Sequence, residues 1–330
     1  MNVAIVILNW NGKKLLEEFL PSVVRYSSEA TIYVADNNSS DDSLAFMKES
    51  YSEVKIIQNK ENGGYAKGYN EALKDLNEDL FVLLNNDVAV TQGWLAPLIA
   101  EFKKDASLVA AQPKILDYRK QNYFEYAGAA GGFMDQLGYP FCRGRIFNVI
   151  EEDTGQYNDT IEIFWATGAC LFVTREAFTM VKGFDEDFFA HQEEIDLCWR
   201  LKSAGGVIKY VGASAVYHLG GGTLTTSNPK KTFYNFRNTL LALVKNSHGV
   251  QVWWIVFQRL LLDGIAAIQF LFQGKITHVI AILKAHFSFY GLLPTFLQKR
   301  KTTASSLKYY RIKSIVWKHF ISKKRNFNNL

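Results

Sequence analysis

Residues 3–12 read VAIVILNWNG, an apolar, largely β-branched run that ends abruptly in a polar Asn-Trp-Asn-Gly turn. An uninterrupted apolar run of strand length is what a parallel strand covered on both faces requires, since an alternating pattern would leave one face to water. The device recurs. Residues 31–35 (TIYVA) run into DNNSSD at 36–41, and residues 80–84 (LFVLL) run into NND at 85–87. Helical patterns are predicted over about 13–26, 42–50 and 65–76, with a short strand at 54–58 and a Gly-rich turn, NGG, at 62–64. Strand, short polar turn and helix in repetition make an α/β sheet. Ligands of such sheets bind beyond the carboxyl ends of the strands, where the polar clusters fall.

Further along, the pattern is mixed. Short strands are expected near 109–115, 169–173 and 207–211, with a Gly-rich segment at 127–138 and an acidic helix start near 192. After about residue 230 the chain turns to long apolar helices with interspersed bases. No internal repeat or low-complexity tract is present. The 330 residues are 48% apolar and 21% charged, a globular composition without a disorder signature. The net charge of +5 is unevenly spread: residues 231–330 hold 16 Lys and Arg against one acid, Asp263, so an acidic body carries a basic end. That polarity points to an anionic surface. Nucleic acid is disfavoured, because no helix-turn-helix, RRM or zinc-finger pattern accompanies the charge. Cys142, Cys170 and Cys198 match no metal or redox spacing and are expected to be reduced structural thiols of a cytosolic protein. The N-terminal apolar run has no basic flank or cleavage site and reads as a first strand rather than a signal peptide.

Four stretches carry candidate chemistry. Asp36 closes the second strand, where a carboxylate accepts hydrogen bonds from a base or ribose, or caps an Asx turn. NGGYAKGYN (62–70) joins a Gly turn to a helix start and offers backbone N–H groups and Lys67 to a diphosphate. Asp87 follows a buried strand, where a hard cation on phosphate oxygens finds it, and His218 precedes three glycines in VYHLGGGT. In FFAHQEEIDLCWR (188–200), Glu194 shares a helical stripe with Leu197, Cys198 and Leu201 and has no local partner. Partial burial there raises its pKa toward that of a general base. Asp196 and Arg200 are spaced to pair, and Glu193 is expected to be solvated or paired.

VILNWNG, VADNNSSD, NGGYAKGYNEAL, LLNNDV, WATGACLFVTREAF, GFDEDFFAHQEEIDLCWR and YHLGGGT, taken in order over residues 3 to about 245, resemble the family 2 glycosyltransferases, in particular bacterial rhamnosyltransferase-like members. The resemblance implies a GT-A fold over residues 1–230, with a nucleotide-binding half to about 110 and an acceptor-binding half after it. It implies a dTDP- or UDP-sugar donor, a divalent metal (Mg²⁺ or Mn²⁺), inversion at the anomeric carbon and a lipid-linked or polysaccharide acceptor. Donor-binding residues would be Asn9, Asn11, Asp36, Asn38, Asn62, Gly63, Gly64, Lys67, Asn70 and Asn86. Asp87 matches the last acid of the family's metal motif, Asn85 replaces the first, and His218 would complete the metal site. Glu193 and Glu194 fall where the family shows Glu-Asp, and either is open as the base. Trp165, Thr167, Gly168 and Asp196 would shape the acceptor pocket. A sugar nucleotidyltransferase is the rival enzyme, but it needs a Gly-rich basic loop where Asn9-Trp10-Asn11-Gly12 stands. A non-catalytic nucleotide-sugar-binding scaffold is the rival outside enzymes.

In residues 250–272 the polar Gln251, Gln258, Arg259, Asp263 and Gln269, with Gln273 just beyond, cluster within an arc of roughly 140°. That pattern suits a helix lying in a membrane interface, or packed on the body, better than one spanning a bilayer. With the bases of residues 231–330 it predicts a helical, basic, membrane-associating extension, attached peripherally to the cytoplasmic face of the cell membrane.

Overall fold

The computed structural model describes residues 1–220 and 228–330. The apolar runs form the parallel centre of a mixed sheet. β1 (Val3–Asn9), β2 (Thr31–Asp36), β3 (Lys55–Gln58) and β4 (Leu80–Asn85) lie in the order β3-β2-β1-β4, linked through α1 (Lys13–Tyr26), α2 (Ser43–Ser50) and α3 (Gly64–Leu73). Ala4 and Val6 of β1 enter one core; Val3, Ile5 and Ile7 enter the other. Both faces are covered, which is why the run shows no alternation. In register, Asn9 stands opposite Asp36 and Leu8 opposite Asn85, so the polar turns after β1, β2 and β4 meet at one edge of the sheet.

β5 (Val88–Val90) and α4 (Leu95–Lys104) lead to β6 (Leu108–Asp117). A second, four-stranded sheet follows: β7 (Gly132–Met134), β8 (Pro140–Cys142), β9 (Arg145–Ile146) and β10 (Val149–Ile150). β11 (Thr160–Glu162), β12 (Cys170–Thr174), α5 (Arg175–Met180), α6 (Glu193–Ser203) and β13 (Val207–His218) complete the body. β12 runs antiparallel between β4 and β6, and β13 runs parallel to β6, giving the order β11-β13-β6-β12-β4-β1-β2-β3. The strand expected at 207–211 continues to His218. A register shift between Val211 and Ala215 carries it past Gly212, where a Cβ would stand 2.6 Å from the Tyr157 carbonyl oxygen. A glycine that reads as a strand end is here a close-approach point within an irregular strand. The three cysteines are buried free thiols.

α7 (Pro229–Asn246), α8 (Gln251–Phe272) and α9 (Ile276–Thr303) form the extension. Its helices are apolar rather than basic, which corrects the sequence expectation. α8 carries one base, Arg259, and α9 only Lys284 before Lys299, so the cations lie on α7 (Lys230, Lys231, Arg237 and Lys245) and at the end of α9 and beyond.

A buried charge cluster fastens the extension to the body. Asp196 of α6 has no exposed surface and accepts hydrogen bonds from Arg200 Nε, Lys245 Nζ and Asn246 Nδ2, each at 2.8 Å. Burial works to raise its pKa, but Arg200 and Lys245 outweigh it and hold the carboxyl at about 2. Lys245 also reaches Asp185 at 2.7 Å, and Lys299 of α9 bonds Asp185 and Asp187. Lys245→Met removes one cation from a buried carboxylate, Asp196, and one from a half-buried carboxylate, Asp185, each of which keeps other partners. Urea unfolding should show a stability loss of about 2 kcal/mol.

Candidate active site

The acidic start of α6 is delivered by a strained turn. Phe189, His191 and Gln192 have φ of 63°, 66° and 76°, left-handed values that side chains with a Cβ adopt at a cost. α7 holds them there. Asn238 Nδ2 donates to the carbonyls of Phe188 (3.0 Å), Ala190 (2.9 Å) and His191 (2.7 Å), and Arg237 donates to those of Asp187 and Phe188. From α3, Tyr65 N–H donates to the Phe189 carbonyl at 3.2 Å.

The turn presents Glu193 and Glu194 differently from expectation. Glu193 is the buried one, at 5% exposure, and Glu194 is partly open. Burial and then the charge of Glu194 push the Glu193 carboxyl well above the usual range, while burial pushes Glu194 up to about 7. One oxygen of each carboxylate is buried without a partner. Beside them, burial followed by the repulsion of Lys231 lowers His191 to about 4, so its imidazole is neutral near pH 7. Removing the clamp with Asn238→Ala should lower turnover roughly 10-fold by misplacing the glutamates. Donor affinity should be unchanged; steady-state kinetics and calorimetry read the two separately.

A second cluster lies at the ends of β4 and β13. Pairing of β13 with β5 sets His218 opposite Val88, the residue after Asp87. His218 Nε2 is 3.1 Å from Asp87 Oδ1, and its Nδ1 is 3.3 Å from Glu125 Oε2. Burial works to lower the His218 pKa, but the two carboxylates carry it to about 10. Asn85 Nδ2 lies 3.4 Å from Nε2. Two carboxylates converging on one imidazole make a place that demands positive charge, and one acid with one imidazole face to face is a donor set suited to a divalent cation. Among the described residues no three such side chains are placed to hold one ion between them, Asp87 and Glu125 lying on opposite nitrogens of His218, so Asp87 and His218 fit a cation that takes its other ligands from phosphate and water. Glu125 then orients His218 from behind. Gly220 sits against it, with φ 66° and space for a Cβ only 2.7 Å from Glu125 Oε1. Gly221 and Gly222, the remainder of the glycine run, lie outside the described residues.

The expected donor residues divide. Asp36 is buried, accepts the Ser39 N–H through Oδ2 at 3.0 Å, and leaves Oδ1 buried and unpartnered, open to a ligand donor. Asn38 is exposed at φ 62°. Gly63 and Gly64 open α3, with Gly64 at φ 75° against the Phe189 carbonyl. The others are engaged within the protein. Asn9 Oδ1 accepts from Asn86 Nδ2 at 2.9 Å, and Asn11 Oδ1 accepts from Ser40 and Asp41 N–H. Asn62 bonds Asn37 and Gly64, and Lys67 pairs with Glu61. Asn70 grips both the N–H and the carbonyl of Phe184. These side chains shape the nucleotide edge by fixing its turns.

Three residues expected at the acceptor pocket lie in the packed interior instead. Trp165 donates its indole N–H to the Phe133 carbonyl, Thr167 accepts from the Ala169 N–H, and Asp196 belongs to the ion cluster. Trp165 and Asp196 have their polar groups engaged inside the protein, and Thr167 is buried at 2% exposure. Gly168 remains at the site's wall, its carbonyl accepting the Tyr65 hydroxyl at 2.8 Å. The sequence reading missed Glu125, Asn238 and Arg237. Glu125 stands in no motif, and Arg237-Asn238 carries one legible signal, a polar pair running directly into the apolar TLLALV of a helix.

Comparison with known proteins follows this geometry. A family model described as "Glycosyl transferase family 2" matches residues 4–179. The chain is 24% identical over 280 residues to the N-acetylglucosaminyl-diphospho-decaprenol L-rhamnosyltransferase of Mycobacterium tuberculosis, covering 80% of this chain and 90% of that protein. Among solved structures, GalNAc-T7 with UDP, GalNAc and Mn²⁺ superposes with a TM-score of 0.55 at 19% identity, over 66% of this chain and 43% of that one. The mannosyltransferase PcManGT of Pyrobaculum calidifontis, in complex with GDP-Man and Mn²⁺, gives 0.53 at 12% identity, over 91% and 84%. The sheet order and its flanking helices are those of the GT-A fold.

Proposed function

The chain belongs to glycosyl transferase family 2 and uses a nucleotide sugar, and from that premise we propose that it is an inverting, metal-dependent transferase acting on a membrane-borne acceptor. The sugar is rhamnose or another hexose carried on dTDP or UDP, and the acceptor is a hydroxyl of a lipid-linked or polysaccharide glycan. The setting is cell-surface glycan synthesis at the cytoplasmic face of the membrane. The rhamnosyltransferase relative, named for a diphospho-decaprenol acceptor, supports this choice of class.

One observation carries the mechanism: a single partly open carboxylate, Glu194, pushed up to about 7 at the mouth of the strand ends. Asp36 Oδ1 would take the nucleobase or ribose, and the backbone N–H groups at Gly63 and Gly64 the diphosphate. Asp87 and His218 would hold a divalent cation, which supplies neutralising charge to the diphosphate as it leaves. Glu194 accepts the proton of the acceptor hydroxyl while that oxygen attacks the anomeric carbon from the face opposite the diphosphate. The new C–O bond forms as the bond to the diphosphate oxygen breaks, and the electron pair departs with the nucleoside diphosphate. One displacement inverts the centre. Hydrolysis by two flanking carboxylates is disfavoured, because Glu193 is buried behind Glu194 rather than facing it across a cleft.

Calorimetry with a panel of nucleoside diphosphates and nucleotide sugars, in Mg²⁺, Mn²⁺ and EDTA, tests the donor side. Metal-dependent binding of one nucleotide class is the expected result; equal binding in EDTA removes the cation from the proposal, and no binding at all removes the transferase reading.

A further inference from the structure

We propose that α8 and α9 form an inside-out hairpin whose outer face lies in the interface of an anionic lipid bilayer, with the acceptor entrance of the site against the headgroups. The seating rests on the reading of a membrane-borne acceptor. The lipid surface itself stands on separate observations.

The first observation is which way the helices face. Trp254, Phe257, Leu261 and Ile265 recur along α8 at steps of three and four and are all exposed, Trp254 at 62%, and Ile280 and Phe287 continue the surface on α9. The charged residues of α8, Arg259 and Asp263, turn inward. Asp263, with no exposed surface, is held by Arg259 at 3.6 Å and by His286 of α9 at 3.1 Å. Arg259 in turn donates to the Leu137 carbonyl and lies 3.7 Å over the Tyr139 ring. In water this arrangement is unfavourable twice over, since it buries charges and exposes an aromatic and aliphatic stripe about 17 Å long from Trp254 to Ile265. Against hydrocarbon both terms reverse, because the ions are best hidden between helices and the stripe is best outside.

Charge chooses lipid over protein as the occupant. The hairpin carries the exposed bases Lys275 and Lys284, the chain after it exposes Lys301, Lys308 and Arg311, and residues 231–330 hold no acid except the buried Asp263. A second copy would bring like charge against like; anionic headgroups complement it. α7 covers the hairpin's inner side, and Arg259 ties α8 to the 134–139 segment, so the pair lies in the interface rather than crossing it.

The second observation is where the tip lands. Phe272, at 88% exposure, lies at the turn between the helices. Two residues before it, Phe270 stacks on His278, whose Nδ1 is 2.8 Å from Thr232 Oγ1 in the first turn of α7. The same end of α7 carries Tyr234, stacked on Phe189, and Lys230 over that ring. Phe189 belongs to the turn that delivers Glu193 and Glu194. A sugar hung from a membrane lipid therefore meets the catalytic carboxylate from the hairpin's side.

The full chain would be mixed with phosphatidylethanolamine vesicles containing roughly 30 mol% phosphatidylglycerol, and with phosphatidylcholine vesicles, the former being expected to bind about tenfold or more tightly. Tryptophan emission should shift to the blue and be quenched by brominated acyl chains. The variant Trp254→Glu/Leu261→Glu/Ile265→Glu should keep its circular dichroism and lose vesicle binding. The double variant Lys275→Glu/Lys284→Glu should lose only the preference for anionic lipid. Absence of binding, binding without acyl-chain quenching, or a solution dimer that already shields these tryptophans would overturn the lipid surface. Transfer to a polyprenyl-diphosphate-linked sugar in the vesicles should fall about tenfold in the triple variant, while transfer to a short-chain soluble analogue is kept; equal loss on both overturns the seating. If the unaltered protein binds vesicles but transfers to neither acceptor, the transferase reading fails and the lipid surface remains.

Discussion

Glu194→Gln should reduce turnover by about 10²- to 10⁴-fold, the contribution of a positioned general base, while leaving nucleotide-sugar affinity unchanged by calorimetry. The pH dependence gives an independent check. A base must be ionised to accept a proton, so turnover of the unaltered enzyme should fall as pH drops through about 7, and this limb should vanish in the variant. Stability moves the opposite way. The folded pKa of Glu194 is raised above the unfolded value, so its favourable contribution is present below the unfolded pKa and lost as pH rises through about 7. Melting curves should therefore show Glu194→Gln gaining stability relative to the parent as pH rises from about 4.5 to about 7, with no further gain above it. Unchanged turnover would remove Glu194 as base and direct attention to Glu193.

Asp87→Ala should lower kcat/KM by about 10²- to 10³-fold, the usual scale for removing one preorganised contact to developing charge. It takes away the carboxylate that faces His218 at 3.1 Å while leaving Glu125 on the imidazole's other nitrogen. Donor binding by the variant should be weak and the same in Mn²⁺ and in EDTA, whereas the parent should bind more tightly with the metal. Wild-type donor affinity that persists in Asp87→Ala and still responds to metal would show that the cation is held elsewhere. His218→Ala provides the companion measurement and should abolish the same metal response.

The strands that build the nucleotide edge were legible because each is buried on both faces, and burial leaves an unbroken apolar run ended by polar residues. VAIVILN and LFVLLN could be little else. Strand β13 was cut short because Gly212 looks like punctuation in one dimension and is a point of close approach in three. Asp36, Asp87, His218 and Glu194 were visible as polar residues at those strand ends or on an otherwise apolar helical stripe. The relative burial of Glu193 and Glu194 was not, because it depends on three left-handed residues upstream that no helical wheel includes. Trp165, Thr167 and Asp196 were drawn to the acceptor side by their place in the chain, yet their partners, Phe133, Gln112 and Lys245, are remote in sequence. Helix α8 shows the converse: its polar arc was plain, but periodicity cannot say which arc faces the body.

The clamp from Asn238 onto the carbonyls of Phe188, Ala190 and His191 has a temporal meaning. Sheet and acids are complete by residue 218, but the backbone next to the acids is locked by a helix made later, and the second cation on Asp196, after Arg200, sits later still at Lys245. On the proposed roles, a chain halted before α7 would carry the strand-end residues without the clamp that aims Glu194. Competence thus arrives with the same segment that carries the lipid-facing hairpin, so a ribosome-bound or truncated fragment could hold donor sugar without spending it on water.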